Sequence, residues 1–110
     1  MKKITMMTKL LMIAAALTFG TLAYAADPAA GKEKSKVCAA CHGENGNSQA
    51  PDFPKLAGQH GDYLVRALTD YKSGVRKNPI MAGQVANLKR EDIADLAAYY
   101  SSQQGLATKY

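Results

Sequence analysis

The stretch Cys38-Ala39-Ala40-Cys41-His42 decides how this chain folds. Two cysteines separated by two residues and followed directly by histidine form the attachment signature of c-type haem. Two thiols one helical turn apart can add across the two vinyl groups of a porphyrin, and the adjacent imidazole then lies under the iron as its proximal ligand. The motif therefore predicts one haem c, covalently attached through Cys38 and Cys41, with His42 bound to the iron.

Three other interpretations of the cysteine pair have less support in the sequence. A disulfide between the two residues would close a very short ring and stabilise little. A thioredoxin-like redox dithiol belongs in a βαβ context, and no strand pattern occurs between Ala26 and Tyr110. Structural zinc usually takes four ligands from paired motifs, whereas this chain has one cysteine pair. Haem attachment remains the favoured interpretation.

Residues 1–25 have the pattern of a cleaved secretory signal peptide. Three lysines precede the apolar segment 10–22, and Ala-Tyr-Ala at 23–25 provides small residues at the −3 and −1 positions of a cleavage site. The uncharged stretch between Lys9 and Asp27 has 17 residues, fewer than the roughly 20 that span a bilayer, so a retained anchor is the less favoured alternative. Haem c is attached on the outer side of the bacterial membrane, so we expect a periplasmic domain over residues 26–110.

The predicted mature chain has few side chains with which to build a core. Removing residues 1–25 leaves 85 residues, lowers the net charge from +5 to +2 and leaves 19 large apolar side chains. Domains of this size usually depend on disulfides, a metal or a cofactor. The modest charge also argues against nucleic-acid binding, which normally uses a strongly basic patch.

Helical periodicity and chain breakers predict an all-α protein. We expect helices over 28–41, over about 62–73 and from about Arg90, separated by loops over 43–58 and 75–88. Asp27 is the expected N-cap of the first helix, with proline at its first position. Gly74 is expected to end the second helix.

The chain is similar to the class I cytochromes c, and in particular to the small soluble monohaem cytochromes of the bacterial periplasm. The similarity covers essentially the whole mature chain and rests on C38-A-A-C-H-G43, P51-D-F-P-K-L-A-G-Q59, N78-P-I-M81 and D92-I-A-D-L-A-A-Y-Y-S-S-Q103. It implies the class I cytochrome c fold, with three to four helices wrapped around one covalently bound haem. In one departure, Leu88-Lys89-Arg90 offers no Ser or Thr to cap the last helix, as family members often do.

The resemblance also implies an iron ligand and a hydrogen bond that orients His42. Met81, the only methionine after residue 25, matches the family's distal methionine, and a thioether ligand favours ferrous iron and closes the coordination sphere. His60 and an open sixth position are the alternatives, and Met81 could instead fill a gap in the core. In the family a proline carbonyl accepts a hydrogen bond from the proximal imidazole. Pro51 matches that position, and Pro54 is its rival.

These features predict a periplasmic electron carrier rather than an enzyme. Such a protein would be a monomer that exchanges single electrons with transient protein donors and acceptors, binds no nucleic acid and meets the membrane only through redox complexes. Basic residues near the Met81 segment, among them Lys72 and Arg76, could form a docking rim, although the small net charge predicts weak electrostatic steering. The alternatives are a haem enzyme or gas-binding protein with a displaceable distal ligand, and a haem subunit of a membrane-bound respiratory complex.

The small core generates the first prediction. Ordering each residue costs about 1–2 kcal/mol in conformational entropy. Burial of apolar surface stabilises by about 25 cal/mol per Å², and 19 large apolar side chains are too few to offset that entropy without the surface of the haem. We therefore expect the haem-free chain 26–110 to be largely unfolded in buffer and to gain its helices with covalent haem. Far-ultraviolet circular dichroism of the haem-free and haem-loaded chains measures the difference. A cooperative, native-like melt of the haem-free chain would contradict this prediction.

Overall fold

The computed structural model of the chain describes residues 25–106. Within them the fold consists of helices alone, namely α1 (Pro28–Lys34), α2 (Lys36–His42), α3 (Gly61–Ser73), α4 (Pro79–Val85) and α5 (Arg90–Ser102). The all-α prediction is confirmed. The signal peptide predicted over residues 1–25 lies outside the described residues except for Ala25. None of the helices in the described part of the chain is long and apolar enough to cross a membrane.

The first predicted helix, over 28–41, is divided into α1 and α2 by a bend at Ser35. The Ser35 hydroxyl donates a hydrogen bond of 2.7 Å to the carbonyl of Lys32, a contact that often bends helices. The Ser35 carbonyl accepts from the N–H of Cys38 at 2.9 Å, which is the short spacing of a tight turn. The haem attachment motif therefore lies on a separate helix, α2.

Local sequence signals fix several helix ends. The Asp27 carboxylate accepts a hydrogen bond of 2.9 Å from the N–H of Ala29, so the predicted N-cap of α1 is confirmed. Gly74 ends α3 with a left-handed φ of +84°, a conformation that favours glycine. In α5 the carboxylate of Asp92 reaches back to the N–H of Lys89 at 2.8 Å. That contact satisfies one backbone donor at the helix start, where Ser or Thr is missing.

The segment predicted as a loop over 75–88 contains the short helix α4. The Asn78 side-chain oxygen accepts hydrogen bonds of 3.0 Å from the N–H groups of both Ile80 and Met81, and Pro79 occupies the first helical position. Asn followed by Pro is a favourable helix start. Seven residues are too few to show clear helical periodicity, which explains why the pattern over 75–88 looked irregular.

Helices α1 and α5 cross in close contact at Gly31. A Cβ atom placed on Gly31 would lie 2.0 Å from the backbone oxygen of Asp95 and 2.7 Å from Cβ of Tyr99. No other amino acid fits in this space without moving one helix away from the other. The absent side chain of Gly31 therefore sets the distance between the two helices.

A buried carboxylate, Asp95, reinforces the same crossing. Its side chain is only 1% exposed and accepts hydrogen bonds from the N–H of Asp27 at 2.9 Å and from the ammonium of Lys34 at 2.6 Å. Lys34 also lies 2.8 Å from Asp92, and this ammonium lowers the pKa of Asp92. A lowered carboxyl pKa stabilises the fold above the pKa of the unfolded chain, and that stabilisation is lost as the pH falls through the folded value.

The described residues form a small hydrophobic cluster where α3 meets α5, and Ala57, Val85 and Ile93 are buried beside it. The cluster is made by side chains of α3 and α5, with partly buried neighbours from the other segments. The buried members are Leu64, Leu96, Ala97, Tyr99 and Tyr100. The partly buried ones are Cys38, Leu56, Leu68 and Leu88. The presence of Cys38 places the attachment motif directly against this core.

The crossing generates a prediction about glycine. Because a Cβ on Gly31 would overlap backbone atoms, Gly31→Ala should destabilise the haem-loaded protein by at least about 1 kcal/mol, within the range for overpacked sites. Gly83→Ala on α4 is the matched control, since its Cβ would meet nothing within 4 Å. There alanine should stabilise by up to about 1 kcal/mol through helix propensity. Denaturant unfolding followed by circular dichroism measures both changes, and equal stability of the two variants would refute the steric explanation.

Candidate functional site

The helices enclose a cavity of about 370 Å³, a volume within the roughly 300–1,000 Å³ typical of small-molecule sites. Side chains from all five helices and from the segments that connect them line it, and most of them are apolar. The wall includes Leu64, Leu96, Ala97 and Tyr100, which also belong to the core. An occupant of the cavity would therefore be packed against the same residues that hold the fold together.

Helix α2 brings the whole attachment motif to this cavity. Cys38, Cys41 and His42 all lie on its wall, and both thiols are free rather than joined in a disulfide. Cys38 is half-buried and Cys41 is exposed. Burial raises the pKa of the Cys38 thiol. The plain disulfide considered from the sequence is thus not the state of the cysteine pair here.

The imidazole of His42 is buried and oriented by a backbone carbonyl. Its Nδ1 lies 2.8 Å from the carbonyl oxygen of Pro54. A carbonyl can only accept a hydrogen bond, so in the neutral imidazole Nδ1 is the donor and Nε2 keeps the lone pair that a metal needs. The ring of Phe53 packs edge-on against the imidazole, with 6.4 Å between the ring centroids.

The prediction that Pro51 supplies this carbonyl is wrong. The N–H of Phe53 donates to the carbonyl of Ala50 at 3.2 Å, closing a turn with Pro51 at its second position, where proline is favoured. This turn leaves Pro51 exposed and away from the cavity wall. The chain returns to His42 only at Pro54, the rival considered from the sequence.

Met81 lies on the cavity wall, and His60 does not. Met81 is half-buried in the first turn of α4, where the cap formed by Asn78 fixes its backbone. His60 is exposed at the N-cap of α3. Of the two candidate second ligands, the fold brings only Met81 to the cavity that His42 also lines.

Tyr100 of α5 is a residue of the site that the sequence did not single out; it occurred only within the stretch 92–103 that carries the family resemblance. It is 3% exposed and lies on the cavity wall. Its hydroxyl is buried and makes no hydrogen bond of normal geometry within the described residues. Burial, together with the nearby Cys38, raises the pKa of the hydroxyl above its ordinary value. No local pattern in the sequence marks this residue, because its burial depends on contacts between α5 and α2.

Taken together, the wall residues fit a haem c. Two thiols, an imidazole with its Nε2 lone pair, a thioether and an apolar surface are the groups that this cofactor requires. The buried hydroxyl of Tyr100, which makes no hydrogen bond of normal geometry within the described residues, also fits a site completed by an occupant. By contrast, no group of three or more His, Cys, Asp or Glu that could hold a metal ion occurs within residues 25–106. The zinc interpretation therefore has no geometric support there.

Helices arranged around an apolar cavity, with a C-x-x-C-H motif and a methionine on its wall, define a class I c-type cytochrome. The profile of the cytochrome c family matches residues 28–104, and the chain belongs to this family.

Individual relatives agree with this assignment. The chain is 52% identical over 97 residues to cytochrome c4 of Pseudomonas aeruginosa, covering 86% of this chain and 48% of that protein. It is 46% identical over 83 residues to cytochrome c-554(548) of Halomonas halodenitrificans, covering 73% of this chain and 100% of that protein. The crystal structure of reduced recombinant cytochrome c4 from Pseudomonas stutzeri matches with a TM-score of 0.71 and 47% identity, over 74% of this chain and 48% of that one. The chain thus spans about half the length of the cytochrome c4 relatives that it matches.

Proposed function

We propose that this chain binds one haem c through Cys38 and Cys41, ligates its iron with His42 and Met81, and transfers single electrons between protein partners in the periplasm. The observation that carries the proposal is that all four side chains line a single apolar cavity. Membership of the cytochrome c family supports the same cofactor.

The haem would supply an iron that changes between its ferric and ferrous states. The residues of the chain determine the reduction potential at which that change occurs. The hydrogen bond from His42 to Pro54 holds the imidazole in one orientation and makes it a stronger electron donor. The thioether of Met81 favours the ferrous state and raises the reduction potential. The apolar wall keeps water away from both ligands.

With His42 and Met81 both bound to it, the iron would have no coordination position for a substrate, so we propose a carrier and not an enzyme. An enzyme or a gas-binding protein would require one ligand to be absent or readily displaced. The N-terminal anchoring of Met81 in α4 argues against easy displacement, because Asn78 holds the first turn of that helix through two hydrogen bonds.

The rim of the cavity suggests how electrons enter and leave. Val37 and Ile80 belong to the cavity wall and are nevertheless 67% and 61% exposed. Apolar side chains at such a rim would offer a small contact area, which is typical of transient redox encounters. We propose that a monomer docks there with its electron donor and acceptor after export directed by residues 1–25.

The attachment role generates a prediction for the two thiols. Each thioether bond requires its own cysteine, so Cys38→Ala or Cys41→Ala should sharply reduce covalently attached haem after export, and the double variant should abolish it. Haem staining on a denaturing gel, normalised to the amount of exported chain, measures the effect. Undiminished staining of the double variant would exclude attachment through this motif.

The ligand role generates a prediction for Met81. Without the thioether, Met81→Ala should lower the reduction potential by more than about 60 mV, which is over tenfold in the one-electron equilibrium. The variant should also bind carbon monoxide readily. Potentiometric titration followed by visible absorption measures the potential and the number of electrons.

His60→Ala is the matched control, because His60 is exposed and lies outside the cavity wall. Wild type and this control should both titrate as one-electron couples at the same potential and resist carbon monoxide. A potential that changes in His60→Ala and not in Met81→Ala would move the ligand role to His60. Fast carbon monoxide binding by the wild type would favour a gas-binding protein over a carrier.

A further inference from the structure

The carbonyl that orients His42 belongs to a long connection between α2 and α3. His42 is the last residue of α2, and Pro54 follows it by 12 residues. Between them the chain forms turns and irregular structure. The carbonyl of Pro54 therefore holds the imidazole only while this connection, the 43–60 loop, keeps its two halves together.

One backbone carbonyl inside the 43–60 loop joins these halves. The carbonyl of Gly46 accepts hydrogen bonds from the N–H of Leu56 at 2.8 Å and from the N–H of Ala57 at 3.2 Å. Ala57 is fully buried at this junction. Because Leu56 follows Pro54 by two residues, the junction determines where the orienting carbonyl lies.

The segment that follows α5, residues 103–106, packs on this junction from the outside. The N–H of Leu106 donates a hydrogen bond of 2.9 Å to the carbonyl of Ala57. The side-chain amide of Asn47 donates one of 2.9 Å to the carbonyl of Gln104. Asn47 belongs to the first half of the loop and Ala57 to the second, so the segment joins the two halves a second time.

Gly105 shows how closely the 103–106 segment approaches the loop. A Cβ atom placed on Gly105 would lie 2.6 Å from Oδ1 of Asn47 and 2.7 Å from both Cβ and the backbone oxygen of Ala57. Any other residue at this position would have to move the segment away from the loop or push the loop aside.

The 103–106 segment begins at a fixed point of the fold. The carbonyl of Tyr100 accepts hydrogen bonds from the N–H of Gln103 at 3.1 Å and from the N–H of Gly58 at 2.9 Å. The end of α5 therefore holds both the start of the segment and the loop residue next to Ala57. Helix α5 is itself packed against α1 at Gly31, so the segment connects the loop to the most closely packed helices.

We infer that residues 104–106 are positioning residues for the iron ligand, because they hold the 43–60 loop closed and so keep the carbonyl of Pro54 on Nδ1 of His42. The inference rests on the proposed function, since this hydrogen bond affects the iron only through a ligated imidazole. When the segment leaves the loop, the imidazole donates less electron density and the ferrous state is favoured. The cytochrome c family profile ends at residue 104, so family membership does not assign this role to Gly105 or Leu106.

Exchange of the Nδ1 proton of His42 with solvent tests the inference. It is followed by proton nuclear magnetic resonance in the ferrous, haem-loaded protein. Gly105→Ala displaces the segment, so the proton should exchange at least about tenfold faster, because exchange follows local opening and overpacking shifts such an equilibrium by about that factor or more. Gly83→Ala is the matched control, since its Cβ would meet nothing within 4 Å, and it should leave the exchange rate unchanged.

The reduction potential is the second measurement on the same variants. Loss of a hydrogen-bonding partner of a metal ligand typically changes affinity by 10–100-fold, so a partial loss should change the one-electron equilibrium by about threefold or more. The potential of Gly105→Ala should therefore be higher than that of the wild type, and that of Gly83→Ala should equal it. A purely structural role of the segment would move neither the potential nor the proton exchange.

Two variants of Leu106 separate the backbone contact from the side chain. Leu106→Pro removes the N–H that donates to Ala57 and should show faster exchange and a higher potential. Leu106→Ala keeps this N–H and shortens a side chain that is already exposed, so it should behave like the wild type. If Gly105→Ala yields no haem-loaded protein, this pair performs the test.

Low concentrations of urea distinguish opening of the loop from unfolding of the whole domain. The dependence of an opening reaction on denaturant scales with the surface that it exposes. In Gly105→Ala the exchange of the His42 proton should therefore change little with urea below the unfolding transition, as expected for a local opening.

Exchange rates and potentials of Gly105→Ala and Leu106→Pro equal to those of the wild type would overturn the inference. Faster exchange that depends on urea as steeply as global unfolding would also overturn it, because the segment would then stabilise the domain and not the ligand. Covalent haem and the absorption of the methionine ligand are measured first in the wild type. If either is missing, the proposed function fails, whereas unchanged exchange in protein with both features refutes only the role of the segment.

Discussion

The structure depends on an apolar core that is also the wall of a cavity. Leu64, Leu96, Ala97 and Tyr100 pack against one another and at the same time face the space between α2, α3 and α4. With 19 large apolar side chains after residue 25, the chain has too few to close that space by itself. We therefore expect burial against an occupant of the cavity to contribute much of the hydrophobic stabilisation of the helices.

The sequence predicted those features that arise from neighbouring residues. The C-x-x-C-H motif, the cap at Asp27 and the glycine that ends α3 each follow from a few adjacent positions, and the structure contains all three. Met81 was predicted as a ligand because it matches the family's distal methionine and is the only methionine after residue 25. The family resemblance predicted the fold of the whole mature chain. The helical structure and the match to the cytochrome c family agree with that prediction.

Features that depend on distant contacts could not be predicted in this way. Choosing between Pro51 and Pro54 required the turn that begins at Ala50, since both prolines lie in the same loop. Predicting the crossing at Gly31 requires knowing which helices meet, and a glycine in the sequence carries no such information. These contacts fix the geometry around the cofactor, whereas local signals fix which cofactor is expected.

The bend at Ser35 divides one short segment into two helices with different structural roles. Helix α1 packs against α5 through Gly31, while α2 presents the thiols and the imidazole to the cavity. A continuous helix over the same residues would act as a rigid lever, so any shift at the crossing would swing the motif by a comparable angle. With a joint between them, a small displacement of α1 against α5 need not turn α2, and the imidazole of His42 is held separately by the carbonyl of Pro54.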